Sequence, residues 1–190
     1  YYRNLLRLPE VPTKFQSYGT AVHVALAGAK NSRELLVLFE RALRRQPLTK
    51  SELLETLQKG KRSLPGWWSA RERQASYDKH SKREFSIVGV KLDDLQVRLT
   101  GKLDRLDLEE NGVVVTDYKT SKPKSRRAIL DGDEMRQLFF YRLLLKQFDH
   151  GKYVMREGVI DFVETDKMGR YKFEKFDMEA HDPREFELLV

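Results

Sequence analysis

Gly101-Lys-Leu-Asp-Arg-Leu-Asp107, followed shortly by Val113-Val-Val-Thr-Asp-Tyr-Lys119, decides how this chain is read. Residues 97–108 and 113–119 are rich in Val, Leu and Thr. The link between them, Glu109-Glu-Asn-Gly112, ends in an Asn-Gly pair, a strong hairpin signal. The two runs therefore read as an antiparallel β-hairpin. Asp117 and Lys119 are two apart, so a strand places both on one face. Opposed residues in an antiparallel pair share a constant number sum, and an odd sum brings Asp104 to that face too. A two-residue Asn111-Gly112 turn gives an odd sum with Asp104 opposite Lys119. A turn centred one residue earlier is expected to give an even sum and turn Asp104 away.

Two carboxylates on one face raise each other's pKa unless a cation sits with them. Mg²⁺ is a hard ion that takes carboxylates together with water and phosphate oxygens. It would polarise a phosphodiester and lower the pKa of a bound water. Lys119 could orient that water or offset charge in the transition state. The same residues could instead form an ordinary cross-strand ion pair, Asp104 against Lys119. The hairpin alone leaves both readings open.

Working outward, the first third reads as helical. Residues 15–29 form one run, Asn31-Ser32 caps a second reaching about Gln46, and Thr49-Lys-Ser-Glu52 has capping-box spacing for a third. Pro65-Gly66 breaks that helix or marks a boundary, and Trp67-Trp68 anchors the next segment in the core. Residues 85–90 read as a strand, 91–94 as a turn and 119–127 as a polar loop. A helix over 133–148 and strands over 153–165 and 170–176 complete an α/β sandwich on a mixed sheet.

At 190 residues the chain has the size of one domain. We expect a single domain over residues 1–190, with a mainly helical part at 1–75 and a catalytic sheet and helix at 84–176. It opens on Tyr1 and ends in a helix-like stretch over 182–190, as a domain cut from a longer protein would. No long apolar run suggests a membrane span. Zero cysteines exclude disulfides, iron–sulfur clusters and cysteine zinc sites from this segment. Thirty-six basic against 29 acidic residues give a net charge of +7, which suits a polyanionic partner. Lys119, Lys122, Lys124, Arg126 and Arg127 bunch directly after the hairpin.

Gly101-Lys-Leu-Asp104-Arg105 with Asp117-Tyr118-Lys119-Thr120 resembles the catalytic core of the PD-(D/E)XK nucleases, and more narrowly their RecB-like branch. Further landmarks of that branch also have matches here: Gly19-Thr-Ala-Val-His23, and Gln137 with Tyr141, four apart on one helix. The opening Tyr2-Arg-Asn-Leu-Leu-Arg-Leu-Pro-Glu10 resembles the nuclease segment attached to some UvrD/Rep-type superfamily 1 helicases. Two departures stand out. Ser121 replaces the usual Gly after Lys-Thr, and the cysteines of the iron–sulfur subgroup are absent.

The resemblance implies a restriction-endonuclease-like α/β core with a mixed central sheet flanked by helices and an N-terminal helical segment. It implies a Mg²⁺- or Mn²⁺-dependent, exonuclease-type DNase of a helicase–nuclease acting in DNA repair or recombination. His23, Asp104 and Asp117 would bind metal, with the Tyr118 backbone carbonyl as a further ligand. Lys119 would be the catalytic lysine, Gln137 and Tyr141 would position DNA or the lysine, and Glu84 would play a supporting part. Lys122, Lys124, Arg126 and Arg127 would meet backbone phosphate. Expected partners are DNA and a helicase domain in the same chain or complex, with no membrane and no iron–sulfur cluster. The expected location is the bacterial cytosol or nucleoid. Two alternatives stay open: a non-catalytic DNA-binding or interaction module, and a stand-alone structure-specific endonuclease.

Overall fold

A computed structural model describes residues 11–72, 80–92 and 95–180. The expected 182–190 helix, the opening 2–10 stretch and part of the 91–94 turn lie outside those residues. The chain divides into two compact units, Tyr1–Gly66 and Trp67–Val190.

The first unit is helical. Helix α1 (Lys14–Gly28) starts at Thr13, whose side chain accepts from the Gln16 amide in a reciprocal capping box. Helix α2 (Ser32–Leu43) starts at Asn31, whose carboxamide oxygen accepts from the Glu34 amide at 2.9 Å. Tyr18 packs edge-on against Phe39 at 5.7 Å between ring centroids. Helix α3 (Lys50–Glu72) opens with the expected capping box: the Thr49 amide donates to Glu52, and the Glu52 amide donates back to the Thr49 hydroxyl.

α3 corrects one expectation, because it runs straight through Pro65. Proline cannot donate to the carbonyl four residues back, so the helix loses one hydrogen bond there. Burial of Leu64, Trp67 and Trp68 on either side of Pro65 offsets that loss. The division between the two units falls directly after Gly66.

The second unit is built on a five-stranded sheet in the order β1-β2-β3-β4-β5. The strands are β1 (Ser81–Leu92), β2 (Leu95–Glu109), β3 (Gly112–Lys119), β4 (Met155–Thr165) and β5 (Tyr171–Asp177). β3 and β4 are parallel, and every other neighbouring pair is antiparallel. The mixed α/β architecture expected from the sequence is the one observed. Helices α4 (Arg126–Leu130) and α5 (Asp133–Gln147) form the crossover from β3 to β4. α4 corrects the expected 119–127 loop: Ser125 caps it by accepting from the Ala128 amide.

One face of the sheet and α5 share an apolar core that includes Leu106, Val115, Leu138, Leu144 and Phe162. Gly101 lets α5 come close. A Cβ there would lie 2.3 Å from Leu144 Cδ1 and 3.1 Å from Phe140 Cε1.

The hairpin register differs from the expected one. Glu109 pairs with Gly112, so the turn is Glu110-Asn111 and the number sum is 221. Continued past its last pair, Arg105–Thr116, that sum would set position 104 across from 117 rather than from 119. The sum is still odd, because sliding a two-residue loop by one position changes it by two. Only a change in loop length would reverse the faces. Gly112 follows the turn with φ 145°, and a Cβ on it would lie 2.6 Å from the Val154 carbonyl oxygen.

Candidate functional site

β3 brings Asp117 and Lys119 to the face covered by α5, and α5 presents Gln137 and Tyr141 to them. The four side chains close a ring of polar contacts. Lys119 Nζ lies 2.7 Å from Asp117 Oδ2 and donates to Gln137 Oε1 at 2.6 Å. Gln137 Nε2 donates to the Tyr141 hydroxyl, and that hydroxyl donates to Asp117 Oδ1 at 3.1 Å. The helical spacing of four makes the Gln137–Tyr141 link possible. The strand spacing of two does the same for Asp117 and Lys119.

Asp117 is only 2% exposed and Tyr141 only 4%. A carboxylate so deeply placed needs donors and a counter-charge. Tyr141 and Lys119 supply them, and Lys119 keeps partial contact with solvent. Burial pushes the Tyr141 phenol well above its ordinary range, and the Asp117 and Asp104 carboxylates push it further the same way. Tyr141 is therefore a hydrogen-bond donor, not a base, at any ordinary pH.

Asp104 arrives differently. The β2–β3 ladder ends at the Arg105–Thr116 pair, and beyond it the Asp104 carboxylate accepts the Tyr118 backbone N–H at 2.9 Å. Leu103 and Leu106, three apart, both enter the same core, so strict alternation along β2 fails between them. Asp104 stands in that break. Across β1, Glu84 occupies the position facing Asp104, between the Arg83–Arg105 and Phe85–Leu103 pairs. Glu84 holds a left-handed backbone with φ 53°, which is rare for a residue with a side chain. Its carboxylate pairs with Lys102, and it has an oxygen within 4.8 Å of one from Asp104.

This donor set fits a hard divalent cation. The Asp117 carboxylate accepts from the buried Tyr141 and the Asp104 carboxylate from the Tyr118 amide, and the neighbouring Glu84 adds another oxygen donor. Among the described residues near them there is no sulfur ligand. Tyr118, whose carbonyl is the further expected ligand, turns its ring to the opposite face of the sheet. There it meets Trp67 edge-on at 5.6 Å. His23 lies on α1 of the first unit, partly exposed.

The basic stretch is less uniform than its sequence. Lys124 pairs with Glu134, whose side chain is 8% exposed. Arg126 pairs with Glu174, donates to the Lys175 carbonyl, and lies 4.4 Å from the Phe176 ring centre. Lys122 is exposed, and Arg127 is exposed with a loose 3.8 Å contact to Asp131.

Sequence reasoning missed a polar cluster on the back of the sheet. Asp161 on β4, 4% exposed, accepts from Trp67 Nε1 at 3.0 Å and from Arg71 Nε at 2.7 Å and Nη2 at 2.5 Å. Its partners lie at least 90 residues away in the chain, and no local pattern announces them.

The family model described as PD-(D/E)XK nuclease superfamily matches residues 1–189. No curated protein matches the chain significantly. Among solved structures, the crystal structure of SSO0001 aligns at 12% identity and a TM-score of 0.39. It covers 91% of this chain and 71% of its own. A likeness that remote adds nothing to the reading of the site. No described helix is long and apolar enough to cross a membrane.

Proposed function

The chain belongs to the PD-(D/E)XK nuclease superfamily, and on that premise we propose that it is a Mg²⁺- or Mn²⁺-dependent deoxyribonuclease. We place it in the RecB-like branch, as the exonuclease-type part of a helicase–nuclease in DNA repair or recombination. The observation that carries the reading is the closed ring of Asp117, Lys119, Gln137 and Tyr141, with Asp104 held on the Tyr118 amide. Members of the superfamily are typically hydrolases of phosphodiester bonds. An ion-paired hairpin with no further role would not explain why two helical side chains bracket the same lysine and aspartate.

The roles follow from the contacts. Asp104 and Asp117 would hold the divalent ion. Bound there, the ion would supply electrophilic activation of the phosphodiester and a nucleophilic water at neutral pH. Lys119 carries a charge next to the reactive carboxylates and would offset the charge that develops on the phosphoryl oxygens. Gln137 fixes Lys119, and Tyr141 fixes both Gln137 and Asp117, so the lysine has little freedom to leave. Lys122 and Arg127 are the residues of the basic stretch best placed to meet backbone phosphate without sequence preference. His23 in the ligand set, the Tyr118 carbonyl, the helicase partner and the cytosolic setting rest on the sequence resemblance.

A nuclease assay on single- and double-stranded DNA with Mg²⁺, Mn²⁺ or EDTA tests the reading. Cleavage should need the metal and disappear in Asp117→Ala and Lys119→Ala, with both variants folded. Metal-independent cleavage, or full activity in either variant, would refute the assignment. Metal-insensitive DNA binding without cleavage would favour the non-catalytic module.

A further inference from the structure

Behind the reactive face, the side chains of alternate residues build a second polar layer. Tyr118 follows Asp117 on β3 and points to the back. Asp161 is its partner in the parallel β3–β4 register. Asp161 is buried, and it takes both the Trp67 indole N–H and a two-pronged contact from Arg71. Arg71 also donates to the Lys172 carbonyl at 3.2 Å, and its guanidinium lies 4.8 Å from the Phe173 ring centre. Trp67 lies edge-on to Tyr118 with an interplanar angle of 85°. Arg105, next to Asp104, interacts electrostatically with Tyr118 and pairs with Asp107 at 2.8 Å.

Tyr118 is therefore gripped on the back by Trp67 and Arg105 while its backbone N–H holds the Asp104 carboxylate. The β2–β3 ladder ends at Arg105–Thr116, whereas Tyr118 itself sits in the parallel β3–β4 ladder opposite Asp161. The contacts on the Tyr118 ring add to that ladder in holding the peptide whose N–H meets Asp104. Stability alone is a poor reason for such a cluster. A buried ion pair is often no better than well-packed apolar side chains of the same volume.

We infer that the Asp161–Arg71 pair, acting through Trp67 and Tyr118, is a positioning device that sets the direction of the Asp104 carboxylate. Asp161, Arg71 and Trp67 are positioning residues, since none of them faces the reactive side. The inference rests on reading Asp104 as a member of the reactive site, and its test separates the two.

The test replaces the pair by apolar side chains in the double variant Arg71→Met/Asp161→Leu. Trp67→Phe serves alongside as the milder change, keeping a ring against Tyr118 but losing the indole N–H. Three quantities are read: the melting temperature and the ¹H–¹⁵N resonance of the Tyr118 amide in the metal-free protein, and Mn²⁺ affinity by calorimetry. Asp104→Ala marks where the Tyr118 resonance falls when its acceptor is gone. Positioning predicts a Tyr118 amide shifted toward the Asp104→Ala value and Mn²⁺ binding weaker by about tenfold. Both changes should occur in a variant whose melting temperature stays close to that of the parent.

An unmoved Tyr118 resonance in either folded variant would overturn the inference, whatever happens to stability. The amide needs neither metal nor DNA. A parent protein that cleaves nothing while its variants still shift Tyr118 would therefore refute the nuclease reading and leave the positioning intact.

Discussion

Tyr141→Phe removes a single oxygen from the polar ring, and its effect can be worked from the contacts. The hydroxyl gives Asp117 Oδ1 a hydrogen bond at 3.1 Å and receives one from Gln137 Nε2. Hydrogen bonds to charged groups contribute about 1.5–3 kcal/mol, and the upper part of that range applies where water cannot replace the lost donor. Asp117 and Tyr141 are both nearly inaccessible, so no water can. Gln137 is only half-buried and can turn to solvent, so its lost acceptor adds little. A loss of about 2–3 kcal/mol in a chain of this size lowers the melting temperature by roughly 5–10 °C. Calorimetric melting of Tyr141→Phe, Gln137→Leu and the double variant measures both the loss and its coupling. Residues of one network should deviate from additivity by about 1 kcal/mol. Additivity within about 0.3 kcal/mol would show that the ring does not act as a unit.

The same variant carries a pH signature. The Tyr141 phenol is raised from its ordinary 10.0, first by burial and then by Asp117 and Asp104. A raised folded-state value means that native protein keeps a proton the unfolded chain gives up. Stability from this group is therefore complete below about pH 10 and falls as the pH rises above it. Tyr141→Phe should lose that part of the alkaline decline. It should also leave unchanged the number of tyrosines ionising near pH 10 by ultraviolet absorbance. Loss of one such tyrosine would contradict the burial argument.

Gly101→Val should push Leu144 and Phe140 out of place and cost about 1–3 kcal/mol, as overpacked cores do, and Leu144→Ala should restore part of it in thermal melts. A melt unchanged by Gly101→Val would refute the close approach of α5. Removing a phosphate contact lowers the slope of log K against log salt by about one. Lys122→Gln should show that drop in DNA-binding titrations. Lys124→Gln should leave the slope nearly unchanged, because Lys124 is already paired with Glu134.

Much of this was legible in the chain itself. Periods of two and four are local geometry, so Asp117 with Lys119 and Gln137 with Tyr141 could be grouped before any coordinates. The caps at Asn31 and Thr49 were legible for the same reason. The Asn-Gly signal points to a turn one residue later than the one observed, and the bond from the Val113 amide to the distant Val154 carbonyl, which accompanies that register, leaves no local trace. Pro65 misled because helix breaking is a local preference and the burial of Leu64, Trp67 and Trp68 is not. Lys124 and Arg126 read as phosphate contacts, and their pairing with Glu134 and Glu174, 10 and 48 residues on, leaves no signal in the spacing. The Asp161 cluster was out of reach for the same reason.

The single parallel contact in the sheet gives the site an order of assembly. β2 and β3 are joined by a two-residue turn, and hairpins of that kind close within microseconds. The β3–β4 contact must wait for the whole crossover through α4 and α5, because long loops are closed late. Asp104, Asp117 and Lys119 thus lie on or just beyond that local hairpin. Gln137 and Tyr141 arrive with the crossover helix, at the step that also completes the core. The carboxylate of Asp117 is enclosed only when the helix that seals it brings its donor, so the chain never has to bury that charge unaccompanied.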